Sequence, residues 1–195
     1  MAEDKNKMVE FFDSRAEDWD KHSKPDPKVI HTLLNSIPLE QGRKVLDVAC
    51  GTGAITPYLY EKSQVKVKAI DLAPERIKIA NNKYGNDSRF LFVNEDFLDK
   101  KEKGYDFVVI FDAYPHFLDV KAFDDALSQA VKKGGYFAIL HDCSKEELSH
   151  HHAHILNLSR LLKPAEEEST AFQDNFKILK AEETIHTYLI LGQKL

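Results

Sequence analysis

Short runs of β-branched and aromatic residues alternate with longer helical patterns along most of this sequence. Five strand candidates precede residue 145, and they occupy residues 44–48, 66–71, 89–93, 107–111 and 136–141. Helical patterns follow three of them, at about residues 52–62, 74–84 and 121–132, and Pro74 stands where a first helical turn tolerates proline. Strands that alternate with helices at this spacing form a parallel sheet with helices on both faces.

The C-terminal part breaks this alternation. A helical pattern at about residues 145–162 is followed by two strand candidates, residues 176–181 and 187–192, with only a short joint between them. Such a joint connects antiparallel neighbours and cannot carry a parallel crossover. We therefore predict an α/β fold with a doubly wound seven-stranded sheet, mostly parallel, with an antiparallel C-terminal strand pair. Residues 1–195 are expected to form a single domain, with a helical lid region over residues 1–40 and the sheet core over residues 41–195.

The balance of acidic and basic residues argues against nucleic acid as a binding partner. Its 195 residues include 27 basic and 32 acidic side chains, a net charge of −5, whereas binding to a nucleic-acid backbone needs surplus Lys and Arg on one face. Cys50 and Cys143 cannot make a disulfide framework, the N-terminus has no apolar secretory core, and the apolar runs are far shorter than a membrane span. We expect a soluble, cytoplasmic protein that binds neither nucleic acid nor membrane.

A glycine loop and three acidic residues mark one edge of the predicted sheet. Gly51 and Gly53 follow the first strand and allow a tight turn close to a ligand. Asp47 lies in that strand just before the loop, Asp71 ends the second strand, and Asp96 follows the third. Ligands of open α/β sheets bind at the carboxyl ends of the strands. The three carboxylates are therefore expected to converge on one crevice.

Five segments resemble, in chain order, the motifs of the class I S-adenosylmethionine-dependent methyltransferases. They are KVLDVACGTGAIT, VKAIDLAPERIKIA, FVNEDFLD, YDFVVIFDAYPHFLD and KKGGYFAILH. The segment FFDSRAEDWD is similar to one that often precedes this domain and closes over the cofactor, so the resemblance covers nearly the whole chain. The first motif departs once, because Ala49 occupies a position usually taken by glycine. The resemblance implies a Rossmann-like fold.

The resemblance also implies S-adenosylmethionine as cofactor and S-adenosylhomocysteine as product. Asp71 suits the ribose diol, because a carboxylate accepts hydrogen bonds from both hydroxyls. Asp96 suits the adenine amino group, and Phe97 can cover the adenine ring. Backbone N–H groups near the two glycines suit the methionine carboxylate, and Asp47 suits the ammonium. The cofactor-binding residues are expected to be Arg15, Trp19, Asp47, Ala49, Gly51, Gly53, Asp71, Leu72, Asp96, Phe97 and Phe111, the first two as part of the lid.

A nicotinamide-dinucleotide enzyme is the main rival interpretation, since it also uses glycines and a later acidic residue. Its fingerprint needs a third glycine for the pyrophosphate. Thr56, not glycine, occupies the corresponding position, and Asp47 places a negative charge beside the loop. An anionic pyrophosphate gains nothing from that neighbour, whereas a sulfonium cofactor with an ammonium group does.

The chain has nine histidines, and the candidate catalytic residues are His116, His141, His151 and His152. At 100° per residue, a helix over residues 145–162 directs His151 to the centre of its apolar stripe and His152 and His154 to the edges. Three interpretations are open: packed core histidines, a substrate-side base or anion-binding group, and a metal site. The last combines His141 and Cys143 with residues 150–154, but the spacing matches no standard site, so no metal is predicted.

These observations favour an enzyme that transfers the methyl group of S-adenosylmethionine to a small molecule. The acceptor atom stays open between oxygen, nitrogen, sulfur, carbon and a metalloid. Two alternatives use the same fold. One is a non-catalytic cofactor-binding protein, and the other is a metal-dependent enzyme that uses the His141 and His150–His154 cluster.

Overall fold

The computed structural model describes residues 2–152 and 157–195, and all statements below concern these residues. Seven strands are present in them: β1 (Val45–Val48), β2 (Val67–Asp71), β3 (Phe90–Asn94), β4 (Tyr105–Phe111), β5 (Val131–His141), β6 (Phe176–Glu183) and β7 (Tyr188–Lys194). The α-helices are α1 (Ala2–Asp13), α2 (Ala16–His22), α3 (Pro27–Asn35), α4 (Thr56–Ser63), α5 (Pro74–Tyr84), α6 (Val120–Ala130), α7 (Lys145–His152) and α8 (Ala165–Ser169).

The seven strands form one sheet in the order β3-β2-β1-β4-β5-β7-β6. The first five are parallel neighbours, and β7 runs antiparallel to both β5 and β6. The predicted fold class is therefore confirmed, including the antiparallel C-terminal strand pair. The chain passes from β3 at one edge to β4 beside β1, which makes the β1–β4 boundary the point where the strand order reverses.

The central strands are buried on both faces, because helices cover the sheet on each side. Every residue of β1 is buried, and so are the first six of β4. This explains why these strands consist of nearly continuous apolar runs rather than alternating ones. One core layer is built around Phe123, Phe137 and Phe172, and the opposite layer packs α3 and α4 against the sheet.

The N-terminal helices lie against the sheet domain in two ways. The apolar side of α3 is buried through Ile30, Leu33 and Leu34, and Asp26 caps this helix by accepting a hydrogen bond from the Lys28 N–H. Helices α1 and α2 contact α5 instead. They therefore stand beside the carboxyl end of β2, which α5 follows.

Two predicted helices differ from the structure. The helix expected over residues 145–162 is wrong over residues 157–162, which are not helical. Leu158 and Leu162 are buried as their spacing suggested, but in a segment held by the Arg160 N–H, which donates to the Pro115 carbonyl at 3.0 Å. The helix expected from about residue 52 begins only at Thr56, because the glycine loop takes left-handed backbone angles first.

None of the helices in the described ranges is both long enough and apolar enough to cross a membrane.

Candidate active site

A cavity of about 850 Å³ opens at the carboxyl ends of the parallel strands. Its walls come from the segments that follow β1 to β5, and residues of α1 and α2 cover it from the opposite side. This volume lies within the range of about 300–1,000 Å³ that is typical of small-molecule sites. The position is the one expected for ligands of open α/β sheets.

Asp71 is held rigidly at the end of β2. One carboxylate oxygen accepts the Gly51 N–H and the other accepts the Ala73 N–H, both at 2.8 Å. Only 6% of the residue is exposed. Burial raises its pKa, while Arg76 and the two backbone N–H groups act in the opposite direction. Each oxygen keeps a second lone pair, so the carboxylate can still accept from two vicinal hydroxyls.

The glycine loop after β1 needs left-handed backbone angles at three positions. Ala49, Gly51 and Gly53 have φ angles of 56°, 55° and 83°. The angle at Ala49 explains why glycine suits that position, since a side chain there costs roughly 1–2 kcal/mol. Position 53 also requires glycine for packing, because a Cβ atom there would lie 2.9 Å from the Phe92 ring. Gly53 therefore serves packing and does not line the cavity.

Asp47 forms part of the cavity floor and is 1% exposed. One of its oxygens accepts the Thr56 hydroxyl at 2.6 Å, and the other has no hydrogen-bond partner among the described residues. Burial raises the pKa of Asp47 to about 7. A cationic group entering the cavity would stabilise the ionised form and satisfy the second oxygen.

Asp96 begins the segment after β3 and is already engaged at both oxygens. One accepts the Leu98 N–H at 2.9 Å, and the other lies 2.6 Å from the Lys5 ammonium of α1. Phe97 follows it, buried, and lines the cavity. Because Lys5 and Asp96 pair across the cavity mouth, this contact ties the first helix to the predicted adenine-binding residue.

Arg76 joins the N-terminal helices to the cavity wall. Its guanidinium lies 4.3 Å from the Phe12 ring centroid and 3.7 Å from that of Trp19. Burial lowers the pKa of Arg76 to about 10. Its Nε and Nη2 atoms are buried without a hydrogen-bond partner in the described part of the chain. Arg76 lines the cavity and its charge acts on Asp71, a feature that the sequence analysis missed.

Three polar contacts also hold α1 and α2 over the site. Asp13 accepts the Glu75 N–H at 3.0 Å at the start of α5. Asp20 accepts the Thr52 hydroxyl at 2.5 Å and the Lys83 ammonium at 2.7 Å. Arg15, predicted to close the lid, lies between α1 and α2, with its guanidinium over the Phe11 ring of α1 and a hydrogen bond to the Phe11 carbonyl. Its side chain does not line the cavity.

The predicted catalytic histidines occupy different surroundings. His116 lines the cavity, with Nδ1 2.9 Å from the Leu158 carbonyl oxygen and its ring against Phe12. His141 is fully buried behind the wall, and burial lowers its pKa to about 3, so it is neutral. His151 and His152 end α7, and their side chains lie outside what the structure describes. His154 lies outside the described residues altogether.

Two acidic residues at the β4 and β5 ends were not selected from the sequence. Asp112 follows β4, Asp142 follows β5, and both line the cavity together with Cys143. The Asp142 N–H donates to Asp112 Oδ1 at 3.1 Å. The rule that residues after each strand face the ligand, applied to β4 and β5 as it was to β1 to β3, would have found them.

Nine of the predicted cofactor residues line this one cavity. They are Trp19, Asp47, Ala49, Gly51, Asp71, Leu72, Asp96, Phe97 and Phe111. The three carboxylates that the sequence placed at successive strand ends are therefore together in the structure. No cluster of three or more His, Cys, Asp or Glu side chains in the described ranges is arranged to hold a metal ion.

Comparison with known proteins agrees with this geometry. A family model described as a methyltransferase domain matches residues 19–170. The chain therefore belongs to the methyltransferase domain family, and the class I resemblance seen in its motifs is confirmed.

Curated relatives match part of the chain. It is 30% identical to malonyl-(acyl-carrier protein) O-methyltransferase of Acetivibrio thermocellus over 139 residues, 69% of this chain and 49% of the relative. It is 33% identical to ubiquinone biosynthesis O-methyltransferase of Xylella fastidiosa over 128 residues, 60% of this chain and 51% of the relative. The chain thus spans about half the length of these curated relatives.

Solved structures share the fold at low sequence identity. The DhpI–SAH complex superposes with a TM-score of 0.77 at 19% identity, covering 97% of this chain and 96% of the other. Geranyl diphosphate C-methyltransferase from Streptomyces coelicolor A3(2), in complex with Mg²⁺, geranyl diphosphate and S-adenosyl-L-homocysteine, gives a TM-score of 0.71 at 12% identity. It covers 86% of this chain and 78% of the other.

Proposed function

We propose that this protein is an S-adenosylmethionine-dependent methyltransferase acting on a small-molecule acceptor. The observation that carries the proposal is the convergence of Asp47, Asp71 and Asp96 beside the glycine loop, on the wall of one cavity. Membership of the methyltransferase domain family and relatives named as methyltransferases support it. Structural neighbours that hold S-adenosyl-L-homocysteine support the choice of cofactor.

The polar groups of the cavity fit the parts of this cofactor. Asp71 offers two oriented oxygens to a ribose diol, and Phe97 offers an apolar ring surface to adenine. The unsatisfied oxygen of Asp47 suits the ammonium group. The N–H groups of Gly51 and Gly53 already donate to Asp71 and to the Cys50 carbonyl, so the Arg76 guanidinium, which lines the cavity, is the group that suits the methionine carboxylate. When bound, the cofactor supplies a methyl carbon attached to a sulfonium sulfur.

The chain itself contributes orientation and water exclusion. Lys5, Asp13 and Asp20 hold the N-terminal helices across the cavity, so a bound molecule is covered on the side opposite the sheet. Positioning two reactants in a closed site supplies much of the rate enhancement of such transfers. His116, Phe117 and Asp142 line the part of the cavity at the β4 and β5 ends, where we place the acceptor.

Two measurements on the folded protein test this proposal. Calorimetry with S-adenosylhomocysteine is expected to give one binding site per chain. Incubation with S-adenosylmethionine labelled in its methyl group is expected to move label into a small molecule of a metabolite extract. Absence of binding by a folded sample contradicts the proposal. Binding without any transfer instead supports the alternative of a cofactor-binding protein without catalysis.

A further inference from the structure

Two carboxyl groups, those of Asp112 and Asp142, line the acceptor end of the cavity. The carboxyl groups of Asp112 and Asp142 are neighbours, and the negative charge of Asp112 adds to burial in raising the pKa of Asp142, so the two groups favour a state with one proton between them. The Asp142 N–H fixes the pair further by donating to Asp112 Oδ1 at 3.1 Å. The Asp112 side chain keeps 32% of its surface open, and both residues line the cavity.

The backbone at Asp112 is left-handed, with φ of 51°. Aspartate tolerates this conformation better than most residues, yet it still costs free energy, and such costs concentrate at functional sites. Behind Asp112 stands His141, fully buried, with Nδ1 3.4 Å from Asp112 Oδ1. Neither ring nitrogen of His141 has a hydrogen-bond partner among the described residues. His141 therefore faces Asp112 without a hydrogen bond to a described residue that fixes its ring.

Among the described residues, no lysine or arginine forms an ion pair with Asp112 or Asp142. His141 faces it from β5 and is neutral at pH 7, because burial lowers its pKa to about 3. Burial also raises the pKa of the neighbouring Cys143 thiol to about 12, and Glu147 adds to that effect. Arg160 lies near His141 and is ion-paired with Glu168 at 2.8 Å. His116, on the same wall, is held by the Leu158 carbonyl. Burial raises the pKa of Asp112 and of Asp142 to about 7.

We infer that the methyl acceptor is an amine, bound as its ammonium ion, and that the Asp112–Asp142 pair takes the proton that frees the nitrogen lone pair. This inference rests on the proposed function. With one shared proton the pair carries one negative charge, which attracts an ammonium group and repels a carboxylate or phosphate. The relative from A. thermocellus, by its name, methylates a malonyl group. The charge at this wall therefore assigns a different acceptor class to this chain.

The proton step balances within the site. The N–H bond of the ammonium breaks, its electron pair remains on nitrogen, and an O–H bond forms on the carboxylate oxygen of the pair. The pair then holds two protons and is neutral, and the amine is neutral with a free lone pair. Below pH 7 the pair fills with protons before the ammonium arrives, so it can neither attract nor deprotonate the acceptor.

A binding experiment without turnover tests the inference. Protein saturated with S-adenosylhomocysteine and ¹³C-labelled in its aspartate carboxyl groups is titrated with propylamine and, separately, with propionate. Propylamine is expected to shift the Asp112 and Asp142 signals to saturation at pH 7, and propionate is expected to leave them unchanged. Equal shifts, or no shift with propylamine, overturn the inference while leaving the proposed function standing. Failure of S-adenosylhomocysteine to bind overturns both.

Matched variants test the role in catalysis. Asp112→Asn and Asp142→Asn preserve shape, asparagine tolerates the left-handed angle at 112, and its amide oxygen can still accept the Asp142 N–H. Each variant is expected to lose about 10²–10⁴-fold in transfer to amines, with the affinity for S-adenosylhomocysteine within twofold of wild type and no propylamine shift. Asp119→Asn is the control, because it lines the same cavity and its amide oxygen can keep accepting the Ala122 N–H. The inference is overturned if the labelled methyl group appears in ester or ether products. It is also overturned if both aspartate-to-asparagine variants transfer methyl groups to amines at the wild-type rate.

Discussion

The hydrogen bonds that we expect between Asp71 and the ribose hydroxyls of the cofactor lead to a quantitative prediction of affinity. Each of its oxygens already accepts one backbone N–H at 2.8 Å and keeps one lone pair for a hydroxyl. Asp71→Asn replaces one oxygen with a group that cannot accept. The cofactor thus loses one charge-assisted hydrogen bond, worth about 1.5–3 kcal/mol. The dissociation constant of S-adenosylhomocysteine should rise by about 10- to 150-fold.

The same substitution also affects the fold, and the two effects are measured separately. One buried backbone N–H, of Gly51 or Ala73, loses its acceptor, which costs about 1–3 kcal/mol of folding free energy. Thermal unfolding without ligand records that cost, and calorimetry below the unfolding temperature records affinity. Asp99→Asn is the control, since Asp99 lines the same cavity but is largely exposed and is expected to keep wild-type affinity. An Asp71→Asn protein that folds and binds within twofold of wild type would refute the assignment.

Three further predictions concern the loop, the floor and the cover of the cavity. Ala49→Gly removes an alanine from a left-handed backbone conformation. The strain relieved is about 1–2 kcal/mol, and the greater flexibility of glycine offsets part of it, so the melting temperature should rise by about 1–4 °C. A lower melting temperature would contradict the assignment of strain to Ala49. Because the pKa of Asp47 is raised to about 7, its protonated form favours folding. The free energy of unfolding, measured with urea, should therefore fall as pH rises from 5 to 8, and it should fall less in Asp47→Asn. An equal fall in the variant and the wild type would contradict the raised pKa of Asp47. Asp20→Ala breaks the contacts to Thr52 and Lys83, so hydrogen exchange should accelerate severalfold in α2 but not in β1; unchanged exchange in α2 would mean that other contacts hold the cover.

The mostly parallel sheet and the clustering of the three predicted carboxylates could be predicted from the sequence for one physical reason. Parallel strands covered on both faces consist of apolar runs, and their carboxyl ends meet at one edge. Asp47, Asp71 and Asp96 lie at one edge because β1, β2 and β3 are neighbours in the sheet, and the prediction depended on that adjacency. The antiparallel finish followed from the short joint between β6 and β7.

What the sequence analysis missed depends on packing between distant segments. Arg76 lies in α5, and only the approach of Phe12 and Trp19 from the N-terminal helices buries it. Asp112 and Asp142 could each have been found from the strand-end rule, but their contact depends on β4 and β5 being neighbours. Residues 157–162 have apolar spacing that fits a helix, yet the Arg160 contact with the Pro115 carbonyl holds them in another conformation.

A crystal structure with S-adenosylhomocysteine bound tests the central assignment most directly. We expect the ribose hydroxyls on the two oxygens of Asp71, the ammonium group on Asp47, and the sulfur facing the space bounded by Asp112 and Asp142. Density for the nucleoside outside this cavity, or a ribose that does not touch Asp71, would contradict the account.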